Sequence, residues 1–241
     1  MTNWEKLIHV VTVVKQPLLS APATKLFSKG VLAGICISIG AFFMMILKTS
    51  GYDPLLYSAA FSTGLFLVVI LHAELFTGNC LLLGFDLSST NMTSANAIAL
   101  LIIEYILNFI GCLFSAVVVM LLPTEVKTSI AEVAANKCID DRFLLVLKGF
   151  LCNVLVCIAI LASSYSVHSS RSIDILVAVL LPVTLFVFSG FEHSIANMFF
   201  LSVGFFEGSV NILQVFTNLF YVTIGNILGG IIVGMLYSDS L

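Results

Sequence analysis

The sequence predicts an all-α integral membrane protein with six transmembrane helices, arranged as an inverted repeat of two three-helix units. Hydrophobic residues make up 60% of the chain and charged residues 10%, and the mean hydropathy is +1.14. A chain of 241 residues with this composition has too little polar surface to cover a soluble globule. The lengths of the apolar stretches and a motif that occurs twice define the arrangement further.

Six apolar stretches are long enough to cross a bilayer, whose hydrocarbon core of about 30 Å requires about 20 helical residues. They cover residues 27–47, 55–88, 95–122, 143–165, 173–202 and 209–237. The second and fifth stretches are too long for one simple crossing and contain polar and small residues near their middles. We therefore predict that these two helices are each broken into half-helices joined by a non-helical segment.

The two broken stretches share the motif Glu-x-x-x-x-Asn, at residues 74–79 and again 118 positions later at residues 192–197. Two further matches occur in the same order: Asn108-x-x-Gly111 with Asn226-x-x-Gly229, and Lys29-Gly30 with Lys148-Gly149. These matches indicate a duplication within one transmembrane domain, with copies at residues 1–122 and 123–241. Because each copy crosses the membrane an odd number of times, the second copy must be inverted.

The first 28 residues are mildly amphipathic, with Lys6, Lys15 and Lys25, and lack the apolar run of a signal peptide. We interpret them as a cytoplasmic amphipathic segment. Positive charges divide evenly between the two sides, so the first helix sets the predicted orientation in the cell membrane, with both termini cytoplasmic.

A net charge of −3 without a basic tract argues against nucleic acid as a partner. No Cys-x-x-Cys pair occurs, and neither a metal nor a cofactor is expected.

Ionisable residues inside the apolar stretches are candidates for function because a charge is costly in a bilayer. His193, beside the second break, could hydrogen-bond an anion, lend it a positive charge or pass it a proton. Thr77, in the first break, could donate its hydroxyl to an anion or cap the following half-helix, and Gly78 would let the backbone turn. Glu74 and Glu192 begin the breaks, where we expect each carboxylate to tie down exposed amide groups.

Asn153, in the fourth helix, either bonds to a neighbouring helix or lines a pore. Half-helices that start near mid-membrane aim their positive amino-terminal ends at the space between them, which favours an anion.

No catalytic constellation is present, so an enzyme is not expected. The alternatives are a pore for water or another neutral solute, and a membrane-embedded enzyme or structural subunit. The second alternative would use four residues as ligands: His72, Glu74, Glu192 and His193.

Three segments together resemble the formate/nitrite transporter family, and the likeness spans nearly the whole chain. They are Ala73-Glu-Leu-Phe-Thr-Gly-Asn79, Lys148-Gly-Phe-Leu-Cys-Asn-Val-Leu-Val-Cys157 and Ser189-Gly-Phe-Glu-His-Ser-Ile-Ala-Asn-Met198. The resemblance implies a homopentamer of aquaporin-like protomers, each with a pore for a small monovalent anion or its conjugate acid. Formate and nitrite are the substrates expected first, with hydrosulfide and lactate as alternatives.

By this resemblance, Thr77 and His193 share a hydrogen-bonded network in a central chamber that Asn153 lines. Apolar rings close the chamber, with Leu75, Phe76 and Val156 on the cytoplasmic side and Phe61, Leu65 and Phe186 on the extracellular side. Lys25 and Lys137 are implied as vestibule lysines that draw anions in. Lys148 departs from the family pattern, and it either reaches towards the membrane interface or adds positive charge to one vestibule.

Two modes of transport follow from a central histidine between dry rings. In the first, protonation by or through His193 lets the anion leave as a neutral acid, which makes transport proton-linked. In the second, His193 stays charged or hydrogen-bonded, and the chain is a passive anion channel. The sequence leaves both modes open.

Overall fold

The computed structural model describes residues 22–88, 94–123, 125–167 and 172–239, so the predicted amphipathic segment before residue 22 lies outside the described residues. The elements in these ranges are all helices. Their bounds are α1 Ala23–Thr49, α2 Pro54–Ile70, α3 Phe76–Asn79, α4 Leu81–Ser88, α5 Ser94–Leu121, α6 Val126–Lys137, α7 Arg142–Val167, α8 Ser172–Phe188, α9 Ser194–Phe206 and α10 Ile212–Asp239.

Within the described ranges, four helices are long and apolar enough to cross a membrane, namely α1, α5, α7 and α10. The two long stretches predicted to be broken are both interrupted. One runs from α2 through the non-helical residues 71–75 into the single turn α3 and then α4, and the other runs from α8 through residues 189–193 into α9. Helix α6 lies between the third and fourth predicted spans, where the sequence predicted only a connection. It was not predicted because its charged and small residues form no membrane-length apolar stretch.

Local signals set the ends of the helices around the breaks. Asp53 Oδ1 accepts a hydrogen bond from the backbone N–H of Leu55 at 2.8 Å, which caps α2 just ahead of Pro54. Gly190 ends α8 with a left-handed φ of +68°. At the equivalent point after α2, His72 has a φ of +50°, a conformation that L residues seldom adopt.

The long helices pack in two equivalent pairs, α1 with α5 and α7 with α10. Glycines bring their backbones into contact. A Cβ added to Gly34 would lie 2.1 Å from the carbonyl oxygen of Asn108, and one added to Gly225 would lie 2.2 Å from that of Val146. The small residues of the first and last helices therefore serve helix packing.

The first and second halves of the chain contact each other through their interrupted helices. Helix α2 packs against α8, while α4 packs against α10 and α9 packs against α5. The helices that follow the two breaks, α4 and α9, therefore each lie against a long helix from the other half of the chain. This exchange brings the two breaks together in the interior of the protein, where Thr77 is fully buried and His193 is 3% exposed.

We expect Gly34→Ala to lower the stability of the purified protein by about 3 kcal/mol, because its new methyl group meets backbone that cannot move aside. Gly78→Ala is the control, since its Cβ would meet only the flexible side chain of Ile160 at 3.3 Å, and we expect a change within about 1 kcal/mol. Thermal unfolding in detergent measures both variants. Equal loss in the two would contradict the assigned packing.

Candidate functional site

The first break is held by the side chain of Asn108, which is fully buried on α5. Its Oδ1 accepts from the backbone N–H of Phe76 at 3.0 Å, the first residue of α3. Its Nδ2 donates to the backbone carbonyls of Gly30 and Glu74, both at 2.9 Å. The bonds to Phe76 and Glu74 satisfy two backbone groups that the interrupted helix would otherwise leave unpaired, at a cost of several kcal/mol each in a bilayer, and the bond to Gly30 ties the break to α1.

The second break repeats this arrangement with Asn226 on α10. Its Oδ1 accepts from the backbone N–H of Ser194 at 2.8 Å, and its Nδ2 donates to the carbonyls of Gly149 at 2.8 Å and Glu192 at 3.0 Å. The bonded positions correspond to those at the first break at an offset of 118 or 119 residues. The repeated Asn-x-x-Gly motif was the sequence signal for these two asparagines, although sequence reasoning gave them no role.

At each break the asparagine of the Glu-x-x-x-x-Asn motif donates a hydrogen bond to the glutamate of the same motif. At the first, Asn79 Nδ2 donates to Glu74 Oε2 at 3.0 Å and to Glu104 Oε1 at 2.7 Å, while Lys29 Nζ lies 3.3 Å from Glu74 Oε1. Glu74 was predicted to tie down exposed amide groups, and the amide it binds belongs to the asparagine side chain of its own motif. Glu104 is fully buried on α5, and its contact with Asn79 depends on the packing of that helix.

The second motif has the same Asn–Glu bond and a lysine on its carboxylate, but the further partners differ. Asn197 Nδ2 donates to Glu192 Oε2 at 2.6 Å and to Asn218 Oδ1 at 2.8 Å. The cation is Lys137 at the end of α6, whose Nζ lies 2.8 Å from Glu192 Oε2. Lys148, the internal counterpart of Lys29, pairs instead with Asp140.

The structure brings Thr77 and His193 together, with Thr77 Oγ1 2.9 Å from His193 Nε2. His193 Nδ1 accepts from the backbone N–H of Ala196 at 3.1 Å, so His193 caps the start of α9. A neutral ring whose Nδ1 accepts must carry its hydrogen on Nε2, and it donates that hydrogen to Thr77 Oγ1. The hydroxyl hydrogen of Thr77 then remains available to another acceptor.

The helix-capping role considered for Thr77 is wrong, because Thr77 lies inside the turn α3 rather than before it. Gly78 was predicted to let the backbone turn, but it lies in the same helical turn and its φ is not positive. Its small size matters instead, because a Cβ would approach Ile160 of α7.

Asn153 joins the first break to two helices. Its Nδ2 donates to the carbonyls of Thr77 at 3.0 Å and Asn226 at 2.6 Å, and these two acceptors fix which end of the amide is nitrogen. Its Oδ1 has no hydrogen-bond partner in the described part of the chain. The polar atom that Asn153 leaves unused is therefore an acceptor, while both of its hydrogens hold backbone.

Three of the residues predicted to form the apolar rings make aromatic contacts, and the other three are buried aliphatic side chains. Phe186 stacks on the ring of His193 with centroids 6.0 Å apart, and Phe61 meets Phe186 edge-on at 5.7 Å. Phe76 packs edge-on against Tyr105 at 4.9 Å. The other members, which are all buried in the main apolar core, are Leu65, Leu75 and Val156.

Two cavities lie next to the breaks. The larger, of about 560 Å³, is lined by residues that include Lys25, Lys29, His72, Glu74 and Leu75. The smaller, of about 300 Å³, is lined by residues that include Lys48, Phe61, Lys137, Phe186, Glu192 and His193. His72 and Glu74 thus line a different cavity from Glu192 and His193, so the structure does not gather these four residues into one ligand set.

The lysines considered for the vestibules have different surroundings. Lys25 lines the larger cavity and makes no ion pair with any residue the structure describes. Lys137 lines the smaller cavity, but its charge is paired with Glu192. Lys148, paired with Asp140, lines neither cavity. Lys48 lines the smaller cavity, and sequence reasoning gave it no role there.

A helical bundle of membrane length, with interrupted helices that bring buried polar side chains together beside two cavities, is the architecture of membrane channels and transporters. The family model for formate/nitrite transporters matches residues 7–238. The chain belongs to the formate/nitrite transporter family. It is therefore a membrane protein of a family of transporters and channels rather than an enzyme.

Named relatives and solved structures agree with this family. The chain is 31% identical to the formate channel FocA of Haemophilus influenzae, over 90% of this chain and 84% of the relative. It is 32% identical to the nitrite transporter NirC of Escherichia coli, over 83% and 76%. Among solved structures, an FNT family ion channel superimposes with a TM-score of 0.87 at 26% identity, covering 99% of this chain and 98% of that one. A pentameric formate channel with formate bound has a TM-score of 0.77 at 30% identity, over 89% and 96%.

We expect Glu192→Gln to lower stability by about 3 kcal/mol, because Lys137, with its side chain 16% exposed, would lose its anionic partner. Lys137→Met alone should cost a similar amount, since it leaves the carboxylate of Glu192 unpaired. The double variant should be more stable than either single one, because it removes both charges. Thermal unfolding of the three variants measures the coupling. Strictly additive losses would contradict a clamp that depends on pairing.

Proposed function

We propose that this chain transports a small monovalent anion, formate or nitrite, across the cell membrane through a pathway in each protomer of a homopentamer. The observation that carries the proposal is the Thr77–His193 pair, a hydroxyl donor held by an imidazole beside the smaller cavity. The named functions of the relatives and the pentameric formate channel among the similar structures support the substrate and the assembly. Hydrosulfide and lactate are the alternative substrates.

We propose that the protomer is aquaporin-like, with six spans in an inverted repeat embedded in the lipid bilayer. The matched hydrogen bonds of Asn108 and Asn226 support the repeat, because they join corresponding backbone positions in the two copies. In this arrangement the larger cavity, near the start of α1, opens to the cytoplasm together with both termini. The smaller cavity, near the end of α1, opens to the outside.

The anion binds in this proposal where the hydroxyl hydrogen of Thr77 is available. A neutral hydroxyl that is itself polarised by His193 Nε2–H binds an anion without the full attraction of an ion pair. Such moderate binding suits transport, because a transported ion must also leave. Phe61 and Phe186, which meet edge-on beside His193, provide the apolar boundary on the side of the smaller cavity.

A proton joins the anion through the same pair of side chains. A proton that reaches Nδ1 displaces the N–H of Ala196 and makes the ring an imidazolium. Nε2 then passes its hydrogen to Thr77 Oγ1, while the Thr77 hydroxyl passes its own hydrogen to the anion. The ring is left neutral with its hydrogen on Nδ1, and the substrate leaves as a neutral acid that crosses apolar surface at lower cost.

A passive anion channel is the second candidate, and one contact favours it. The bond from Ala196 N–H to His193 Nδ1 keeps that nitrogen an acceptor, so protonation of the ring must break the cap of α9. In this mode His193 remains neutral and the anion crosses alone.

We expect His193→Asn and His193→Ala both to reduce formate uptake into proteoliposomes by about tenfold or more, as loss of about 1.4 kcal/mol of hydrogen bonding implies. Asparagine caps helices well but is too short to replace Nε2. Stability should therefore fall by about 1 kcal/mol in the alanine variant and by less in the asparagine variant. Wild-type uptake in the asparagine variant would show that His193 acts on α9 alone.

We expect radiolabelled formate uptake to rise with an inward proton gradient and to lose that rise when a protonophore collapses the gradient. Thr77→Val should remove the response, because valine keeps the shape but has no hydroxyl to relay the proton. Thr63→Val, at a position outside both cavities, is the matched control. Formate uptake whose rate does not change with the proton gradient would support the passive channel. Water permeability without formate uptake would support a neutral-solute pore.

A further inference from the structure

The smaller cavity contains one lysine whose charge no carboxylate of the described chain neutralises. Its charged lining consists of Lys48, Lys137 and Glu192, with His193 as a further titratable group. Lys137 is bonded to Glu192 at 2.8 Å, and its ammonium also faces the ring of Phe200 at 5.5 Å. Lys48 forms no ion pair with any described residue. With His193 neutral, the cavity has one positive charge in excess, and Lys48 carries it.

The position of Lys48 leaves its ammonium hydrogens available. Its Nζ lies 5.9 Å from the centroid of the Tyr57 ring, where the π electrons attract the charge without accepting a conventional hydrogen bond. The closest acidic side chain along the chain, Asp53, caps α2 through Leu55 and does not line the cavity. An aromatic ring thus positions the ammonium of Lys48, which is an exposed residue, and no carboxylate of the described residues pairs with it.

The same cavity connects Lys48 with the candidate transport site. Phe61, Phe186 and His193 share its lining with Lys48, so an anion held at Lys48 already lies in the space that leads to the imidazole. Because low-dielectric aromatic walls focus an electric field, one uncompensated charge raises the local concentration of small anions.

We propose that Lys48 is the anion-capture residue of the smaller cavity, with Tyr57 as its support, and that its ligand is a small monovalent oxyanion. This inference rests on the proposed function. It differs from the resemblance, which implied Lys137 for this role. Lys137 neutralises Glu192 and braces the second break, whereas Lys48 supplies the charge that attracts the substrate.

The first experiment measures initial rates of formate uptake by the full-length protein in proteoliposomes, at low and high ionic strength. Lys48→Gln should raise KM by about fivefold at low ionic strength, which is the factor that about 1 kcal/mol of attraction between unit charges in water represents. The maximal rate should stay within about twofold, and the difference in KM should shrink at high ionic strength because salt screens the charge.

Lys127→Gln is the matched control, because Lys127 pairs with Glu207 and lines neither cavity. It should leave KM unchanged. An unchanged KM in Lys48→Gln, with normal uptake by the wild type and the control, would overturn the inference while leaving the proposed function intact. Absence of formate and nitrite uptake by the wild type would overturn both.

A second variant separates charge from shape. Lys48→Cys is combined with Cys138→Ser, because Cys138 is partly exposed while the other five cysteines are buried. Aminoethyl methanethiosulfonate, which restores a positive charge at position 48, should return KM towards the wild-type value. Sulfonatoethyl methanethiosulfonate, which adds a negative charge and does not cross the membrane, should raise KM further. Equal effects of the two reagents would mean that position 48 acts through its bulk, which would overturn the inference.

Discussion

An interrupted helix inside a membrane depends on partners for the backbone groups it releases, and Asn108 and Asn226 provide them here. Each amide bonds one N–H and one carbonyl of a break and one carbonyl of a neighbouring unbroken helix, with the same pattern at both breaks. Without these bonds the two breaks could not lie at the centre of an apolar bundle. The contact between Thr77 and His193 depends on them, because it joins one break to the other.

The charged groups around the breaks serve mainly to hold the fold. Glu74 pairs with Lys29 and Glu192 pairs with Lys137, and each carboxylate also binds the asparagine at the end of its motif. Paired charges contribute little net field to an anion. We therefore propose that the centre of the protein presents a neutral hydroxyl and imidazole to an anion, while a lysine without an ion pair among the described residues lines each cavity. Attraction at the cavities and moderate binding between them are compatible with rapid passage.

The sequence predicted the helices better than it predicted the contacts of the polar residues. Long apolar stretches and a repeated motif were sufficient to locate both breaks, because these signals are local. Helix α6 was missed, since a short helix of charged and small residues has no membrane-length apolar stretch. The capping of α9 by His193 and the pairing of Lys137 with Glu192 were not foreseen. The ion pair joins residues 55 positions apart, so no spacing along the chain indicates it. The cap spans only three residues, but histidine is not among the residues that usually cap a helix, so the local pattern did not indicate it.

The most direct measurement records formate uptake and transported charge in the same proteoliposomes, by radiolabel and by current on a solid-supported membrane. Because we propose that each formate leaves with a proton, we expect uptake with almost no net charge per formate. One negative charge per formate, whatever the pH gradient, would contradict passage of the proton through His193 and Thr77. It would show that the anion crosses alone.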